Sequence, residues 1–211
     1  MVFVSNDAKL TSLNVKGSKN FTAESNSGKA IDCSGDVIID CGGDVTISST
    51  VGKAINCTKN VNITSGGNVN ITSTGSAIES REASITSGGD VTITSSDGNA
   101  LSCYGAATIN CSGNVTVNSS SVTDFAVDGN ALIIENAQDV TITAQKAIFH
   151  GYINSSAGFA DSPAVRITCS GEVTLKSTGA GDTLLKGLLY IFDPGSASQT
   201  TALTYNQANS Y

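Results

Sequence analysis

Four aspartates in the sequence are spaced so that they could bind a divalent cation. They are Asp32, Asp36, Asp40 and Asp44, at intervals of four residues. Calcium takes six to eight oxygen ligands from carboxylates and carbonyls, so this cluster is a candidate metal site. The surrounding residues do not form an EF-hand loop, and solvated aspartates at chain turns would explain the same spacing. Calcium is therefore the one candidate metal, and no organic cofactor is expected.

Aromatic side chains concentrate in two segments that interrupt an otherwise regular pattern. The segments are residues 120–128 and 145–163, and their ring-bearing residues are Phe125, Phe149, His150, Tyr152 and Phe159. Rings of this kind can stack on sugars or anchor a partner protein, and the alternative is that they pack over the edge of the fold. These five residues are candidate ligand-binding residues.

Small polar side chains recur at strand spacing and form a third candidate site. Ser, Thr and Asn account for 29, 23 and 18 of the 211 residues. The candidate ligand-binding positions in this pattern are Asn70, Thr72, Thr92 and Thr94. Their hydroxyl and amide groups could face water, line a flat surface for a polysaccharide or, as a minor alternative, match an ice lattice.

The candidate residues lie within a sequence repeat of 23 to 24 residues. Its recurring phrases are GKAIDC, GKAINC and GNALSC, which share an initial glycine. The coil anchors are Gly28, Gly52, Gly75, Gly98, Gly129, Gly158 and Gly181. The wider spacings after Gly98 and Gly129 predict loop insertions over 120–128 and 145–163.

Apolar and polar residues alternate within each repeat, which is typical of a β-strand with one buried side. Val45 and Ile47 form one such set, and the set returns as Val69 and Ile71. Residues 140–144 are assigned to the second strand of their unit. Three short strands per repeat predict an all-β fold, a single-chain, three-sided parallel β-helix of about eight coils, which we expect to be right-handed. The predicted helix spans residues 1–192, and 193–211 form a polar cap or tail.

Paired glycines mark one corner of each predicted coil. They are Gly42–Gly43, Gly66–Gly67 and Gly88–Gly89, followed in the same register by Asp44, Asn68, Asp90 and Asn114. Glycine adopts positive φ readily, so we expect the pairs to provide left-handed corners.

The six cysteines share alignment columns with serines. Cys33, Cys57 and Cys103 align with Ser80, and the others are Cys41, Cys111 and Cys169. Exchange with serine predicts small side chains that fill the core near a corner. Cys33 and Cys57 are in adjacent coils, where a Cα separation of about 5 Å would permit a disulfide.

The ends of a solenoid expose strand edges that a cap or a second chain can cover. The apolar candidates for this role are Val2, Phe3, Val4, Leu188, Leu189 and Tyr190. End-to-end assembly of the chain with itself is therefore one hypothesis for its function.

Charge and composition narrow the function classes. The formal net charge is −7, which argues against a nucleic-acid partner, and no apolar run is long enough for membrane insertion. No cluster of acids and bases marks a catalytic cleft, so we predict a protein that is not an enzyme, with a polysaccharide lyase as a minor alternative. Residues 1–20 contain no pattern that predicts a secretory signal.

Several phrases resemble a known family. GGNVNITSTGSAI, GGDVTITSSDGNAL and GKAIDCSGDVIID are similar to the repeats of the secreted clostridial carbohydrate-binding parallel β-helices, over about residues 28–120. The resemblance implies a calcium-associated binder of acidic plant polysaccharides. The leading hypothesis is a non-catalytic, extracellular or cell-surface adhesin-like protein that binds a polysaccharide or surface glycan. The alternative is a self-assembling structural protein of a fibre, filament or virion.

Overall fold

The computed structural model describes residues 2–4, 9–151, 164–179, 185–186, 188–192 and 203–207. These residues form 22 β-strands and no helix. Every strand pairing between them is parallel, with successive coils stacked on one another. The predicted all-β, three-sided parallel β-solenoid is confirmed, while its handedness stays a prediction.

The strands form three faces, named A, B and C in the order in which each coil visits them. Face A contains β4 (Ile31–Cys33), β7 (Ile55–Cys57), β10 (Ile78–Ser80), β17 (Phe149–Gly151) and β20 (Leu185–Lys186). Face B contains β2 (Leu13–Gly17), β5 (Val37–Cys41), β8 (Asn60–Ser65), β11 (Glu82–Ser87), β18 (Ala164–Cys169) and β21 (Leu188–Phe192). The long strands β13 (Leu101–Cys111) and β15 (Val127–Ala137) run through faces A and B.

Face C is a continuous sheet of nine strands. It contains β1 (Val2–Val4), β3 (Phe21–Ser25), β6 (Val45–Ser49), β9 (Val69–Ser73), β12 (Val91–Ser95), β14 (Val115–Ser119), β16 (Val140–Ala144), β19 (Val173–Ser177) and β22 (Leu203–Gln207). Like residues face one another in successive coils, as Ile47, Ile71 and Ile93 do, and these three side chains are fully buried. The alternation of the sequence therefore produces one shared apolar core between the three faces.

Two expectations about the coils need correction. The regular solenoid has about six turns, from β4 to β19, slightly fewer than the eight expected, and β1–β3 and β20–β22 lie outside these turns. Val140–Ala144 lies on face C and not on the second strand of its coil. The second strand of that coil is the continuation of β15, where the consecutive apolar residues Leu132, Ile133 and Ile134 obscure the alternation.

The corner glycines are required for a different reason from the one expected. None of Gly42, Gly66 and Gly88 has a φ in the left-handed region. A Cβ built on Gly66 would lie 2.4 Å from the carbonyl oxygen of Gly42, and one on Gly88 would lie 2.4 Å from that of Gly66. The coils stack so closely at Gly66 and Gly88 that a side chain has no space at these two positions. Asn136 is the described non-glycine residue with a positive φ, at 59°.

A ladder of side chains locks the register at the same corner. Each side-chain Oδ1 accepts a hydrogen bond from the backbone N–H of the corresponding residue one coil later. The donor–acceptor distances are 2.7–3.1 Å, and the ladder runs through Asn20, Asp44, Asn68, Asp90, Asn114, Asp139 and Glu172. Asn and Asp alternate along its first six positions, so neighbouring rungs among these six do not place two carboxylates side by side.

The cysteines occupy the predicted small core positions. All six are buried and none forms a disulfide, including Cys33 and Cys57, which are register partners. Serines in the same columns bond to backbone carbonyls, as Ser65 Oγ does to the Gly43 oxygen at 2.7 Å. Cys41 Sγ lies 3.4 Å from that same oxygen, which explains why the two residue types exchange.

Candidate functional site

The outward side of face C has two parallel rows of polar side chains. The first row is Thr22, Thr46, Asn70, Thr92, Thr116, Thr141 and Thr174. The second row is Glu24, Ser48, Thr72, Thr94, Asn118, Thr143 and Lys176. Adjacent coils lie about 4.8 Å apart, so neighbouring hydroxyl groups in a row are separated by roughly that distance. Most of these side chains are half-buried.

A surface depression of about 310 Å³ lies at the edge of these rows. Its lining residues come from three successive coils, and they are Asp44, Val45, Thr46, Asn68, Val69, Asn70, Asp90 and Thr92. Strands β6, β9 and β12 hold the side chains from one side, and the corner ladder holds them from the other. The depression therefore combines hydroxyl, amide and carboxylate groups on a rigid support.

The carboxylates of the depression are partly committed to the fold. Asp44 Oδ1 accepts the Asn68 N–H at 2.8 Å, and Asp90 Oδ1 accepts the Asn114 N–H at 2.7 Å. The second oxygen of each has no partner among the described residues, so it can accept a hydrogen bond from a ligand hydroxyl. No lysine or arginine is among the lining residues. The depression suits a neutral polyhydroxylated ligand better than an anionic one.

A second cluster forms where the insertions meet face A. The ring of His150 stacks on Phe125, with centroids 4.6 Å apart and an interplanar angle of 11°. His150 Nδ1 lies 2.8 Å from Asp128 Oδ1. Lys146 Nζ lies 4.5 Å from the centroid of Phe125 and donates to the Thr123 carbonyl oxygen at 2.8 Å. These contacts join residues 123–128 to 146–150.

Phe149, another of the predicted ligand-binding residues, lies in a different environment. Phe149 is fully buried and pairs in register with Val127, so it fills the core and does not present its ring to a ligand. Tyr152 and Phe159 lie outside the described residues. Phe125 and His150 are half-buried, and each already contacts the other. The structure thus brings together Phe125 and His150 and places Phe149 in the core.

Each of the four aspartates of the candidate metal site contacts different residues of the chain. Asp32 accepts Asn56 Nδ2 at 2.7 Å and Lys29 Nζ at 2.9 Å, Asp36 accepts the Asn60 N–H at 3.1 Å, and Asp40 lies 3.7 Å from Lys16. Asp44 is part of the corner ladder. Within the part of the chain that the structure describes, no three His, Cys, Asp or Glu side chains are grouped to hold a metal ion. Calcium binding stays an untested prediction.

Asp32 has the most altered environment of the four. Burial raises its pKa, but the hydrogen bonds from Asn56 and Lys29 and the charges of Lys29 and Lys9 outweigh that effect and hold the pKa below its usual value of 3.8. The hydrogen bond from Asn56, one coil later, gives Asp32 a role in joining coils. Lys53 forms a similar link between coils through an ion pair of 2.6 Å with Glu79.

The predicted assembly residues lie on outer strands. Val2, Phe3 and Val4 form β1, which ends the nine-stranded sheet and pairs with β3. Leu188, Leu189 and Tyr190 belong to β21, which pairs with β18. β1 lies before the first complete coil and β21 after the last, and each has one paired neighbour among the described strands.

Sequence patterns did not identify every member of the polar rows. Thr141 and Thr143 belong to face C, and the inclusion of Thr141 makes the first row threonine at every position except Asn70. The signal was present in Val140–Ala144, because its VTITA pattern matches VTITS at Val91–Ser95. No sequence pattern predicts the contacts that Asp128 and Lys146 make with the aromatic cluster.

No family model matches the chain, and no curated protein or solved structure matches it either. The fold and the two clusters described above are therefore the basis for assigning a function. Among the residues that the structure describes, there is no helix with the length and apolar character needed to cross a membrane.

Proposed function

We propose that this chain is a non-catalytic β-solenoid that binds carbohydrate through face C, outside the cell or on its surface. The observation that supports the proposal is the depression of about 310 Å³ whose lining combines Thr46, Asn70 and Thr92 with the corner carboxylates. Sugar-binding sites need several hydrogen-bonding groups held in fixed positions, because each hydroxyl that leaves water must find a new partner. Stacked strands supply such groups without ordering a loop first.

The charge of the site refines the expected ligand. The resemblance at sequence level implied acidic polysaccharides, but Asp44 and Asp90 would repel a carboxylated polymer in the absence of a cation. A neutral polysaccharide encounters no such repulsion, and its hydroxyl groups can donate to the two carboxylates. A neutral glycan is therefore the proposed ligand, and an acidic polymer should require added calcium.

A matched pair of substitutions tests the proposal. Asn70 and Asn62 are exposed asparagines of the same coil, one on face C and one on face B. Asn70→Ala should weaken retention on an insoluble neutral polysaccharide in a pull-down measurement by about tenfold, equivalent to roughly 1.4 kcal/mol. Asn62→Ala should leave retention unchanged. Equal retention of the two variants and the unaltered chain would remove face C from the proposal.

End-to-end assembly is the second candidate function, supported by the outer positions of β1 and β21. Strand edges with unpaired N–H and C=O groups are templates for pairing with another chain. If the ends assemble, the chain should show concentration-dependent polymers in sedimentation velocity, and deletion of residues 1–4 should yield monomers. A full-length chain that sediments as a monomer at every concentration would exclude this function.

A further inference from the structure

Face C differs from the other two faces in its regularity. All eight of its strand pairings keep register without interruption. Register shifts occur where β13 pairs with β15 and where β15 pairs with β18, on the other faces. Residues 120–126 and 145–148 leave the pattern at turns between faces C and A. The outward side of face C is therefore an uninterrupted, regularly spaced array of side chains.

The side chains in the two rows of face C are also uniform and restrained. The first row is threonine except at Asn70, and most members of both rows are half-buried between neighbours of the adjacent coils. A β-branched side chain has few χ1 rotamers, and packing on both sides restricts it further. Such a surface loses little side-chain entropy on binding, which is a large cost for flexible surfaces.

Charge is nearly absent from the middle of the outward side of face C. Its charged side chains among the described residues are Glu24 and Lys176, which lie at opposite ends of the second row. The five strands between them are β6, β9, β12, β14 and β16, and the side chains of their rows are Ser, Thr and Asn. At about 4.8 Å per strand, this neutral area extends roughly 19 Å along the solenoid. Its electrostatic match is an uncharged ligand surface.

We infer that face C recognises a solid, uncharged polysaccharide in which parallel chains repeat across the surface, and not a single dissolved chain. The inference rests on the proposed function and specifies its ligand. A single chain is normally held in a concave site that covers most of its surface, whereas the rows of face C continue beyond the depression over a sheet of nine strands. A regular array of equivalent weak contacts gains affinity when many of them bind the same rigid ligand, because each contact after the first is intramolecular.

A comparison of solid and dissolved ligands tests the inference directly. Microcrystalline cellulose and microcrystalline chitin serve as solids in a pull-down measurement, and the corresponding soluble hexasaccharides serve as dissolved ligands in calorimetric titration. One of the solids should retain the unaltered chain, and its hexasaccharide should bind at least about 100-fold more weakly, a difference of roughly 2.8 kcal/mol.

Matched variants connect that result to face C. Thr116 and Thr108 are half-buried threonines of the same coil, on faces C and B respectively. Thr116→Lys introduces a charge into the neutral rows of face C and should reduce retention on the solid at least tenfold, while Thr108→Lys should not. Thr116→Val and Thr108→Val keep the β-branched shape, so they test the hydroxyl group if a lysine variant fails to fold.

The outcomes separate this inference from the proposed function. Hexasaccharide binding as tight as retention on the solid, with both dependent on Thr116, would overturn the inference and leave carbohydrate binding standing. Absence of binding to every solid and every hexasaccharide would overturn both. Ice-crystal shaping that Thr116→Lys abolishes, without polysaccharide retention, would overturn the polysaccharide ligand.

Discussion

At the residue scale, close approach between coils constrains the sequence more than backbone conformation does. Gly66 and Gly88 have no room for a Cβ, because a carbonyl oxygen of the preceding coil lies 2.4 Å from where it would be. The neighbouring Asn and Asp then bond from rung to rung. Glycine at this corner thus permits the stacking that the ladder fixes.

Gly66→Ala should be strongly destabilising. The added methyl group must push one coil away from the next, and overpacking of this kind typically costs about 1–3 kcal/mol. Gly17→Ala is the matched control, because nothing lies within 4 Å of a Cβ at Gly17. Urea unfolding followed by circular dichroism measures both variants. Equal midpoints for the two would contradict the close contact between coils.

Asp32 should make stability depend on pH in the acidic range. Its pKa in the folded chain is below the usual 3.8, so its ionised form is favoured in the fold. The resulting stability is present above the unfolded pKa and is lost as the pH falls through the lower, folded pKa. The urea midpoint of the unaltered chain should therefore fall between about pH 4.5 and pH 2.5 by more than that of Asp32→Asn. Parallel curves for the two would show that Asp32 gains nothing from Lys29 and Asn56.

The cysteine thiols should be unreactive in the native chain. Burial raises the pKa of Cys103 to about 11 and also raises the pKa values of Cys41, Cys57 and Cys111. The thiolate is the reactive form, so these thiols should react slowly with an aromatic disulfide reagent at pH 8. All six should react rapidly in urea. Fast labelling of Cys103 in the native chain would contradict its burial.

At the element scale, the strands could be predicted because their apolar residues recur with a period of two. The alternation of Val45 and Ile47 and its return at Val69 and Ile71 specify both the strand and the face that it buries. The prediction failed where the alternation breaks, in the apolar run of β15. Residues 140–144 were consequently assigned to the wrong face, although their own pattern matches face C.

The insertions caused the other error at this scale. Lys146, Ala147 and Ile148 repeat the KAI phrase of earlier coils, and this match would align Ala147 with Ala54 and Phe149 with the outward Asn56. In the structure Val127 donates its N–H to Ile148 and pairs with Phe149, so Ile148 takes the alanine position and Phe149 the core position. A shift of one residue exchanges inward and outward side chains. It turns a candidate ligand residue into a core residue.

At the scale of the whole molecule, the solenoid explains why site residues far apart in sequence lie side by side. Asp44, Asn68 and Asp90 are separated by more than 20 residues, yet they line one depression because the coils stack in register. The repeat predicted this stacking and the two polar rows. It did not predict the depression, because the depth of a surface depends on how corners and strands pack together and not on spacing alone.

Methyl NMR on chains labelled at isoleucine tests this stacking most directly. Because Ile47, Ile71 and Ile93 occupy one buried column, nuclear Overhauser contacts should join Ile47 to Ile71 and Ile71 to Ile93. The direct contact from Ile47 to Ile93 should be absent or much weaker, since they are two strand spacings, about 10 Å, apart. Contacts missing between both neighbouring pairs would contradict the stacked coils, and with them the regular rows of face C on which the proposed carbohydrate binding depends.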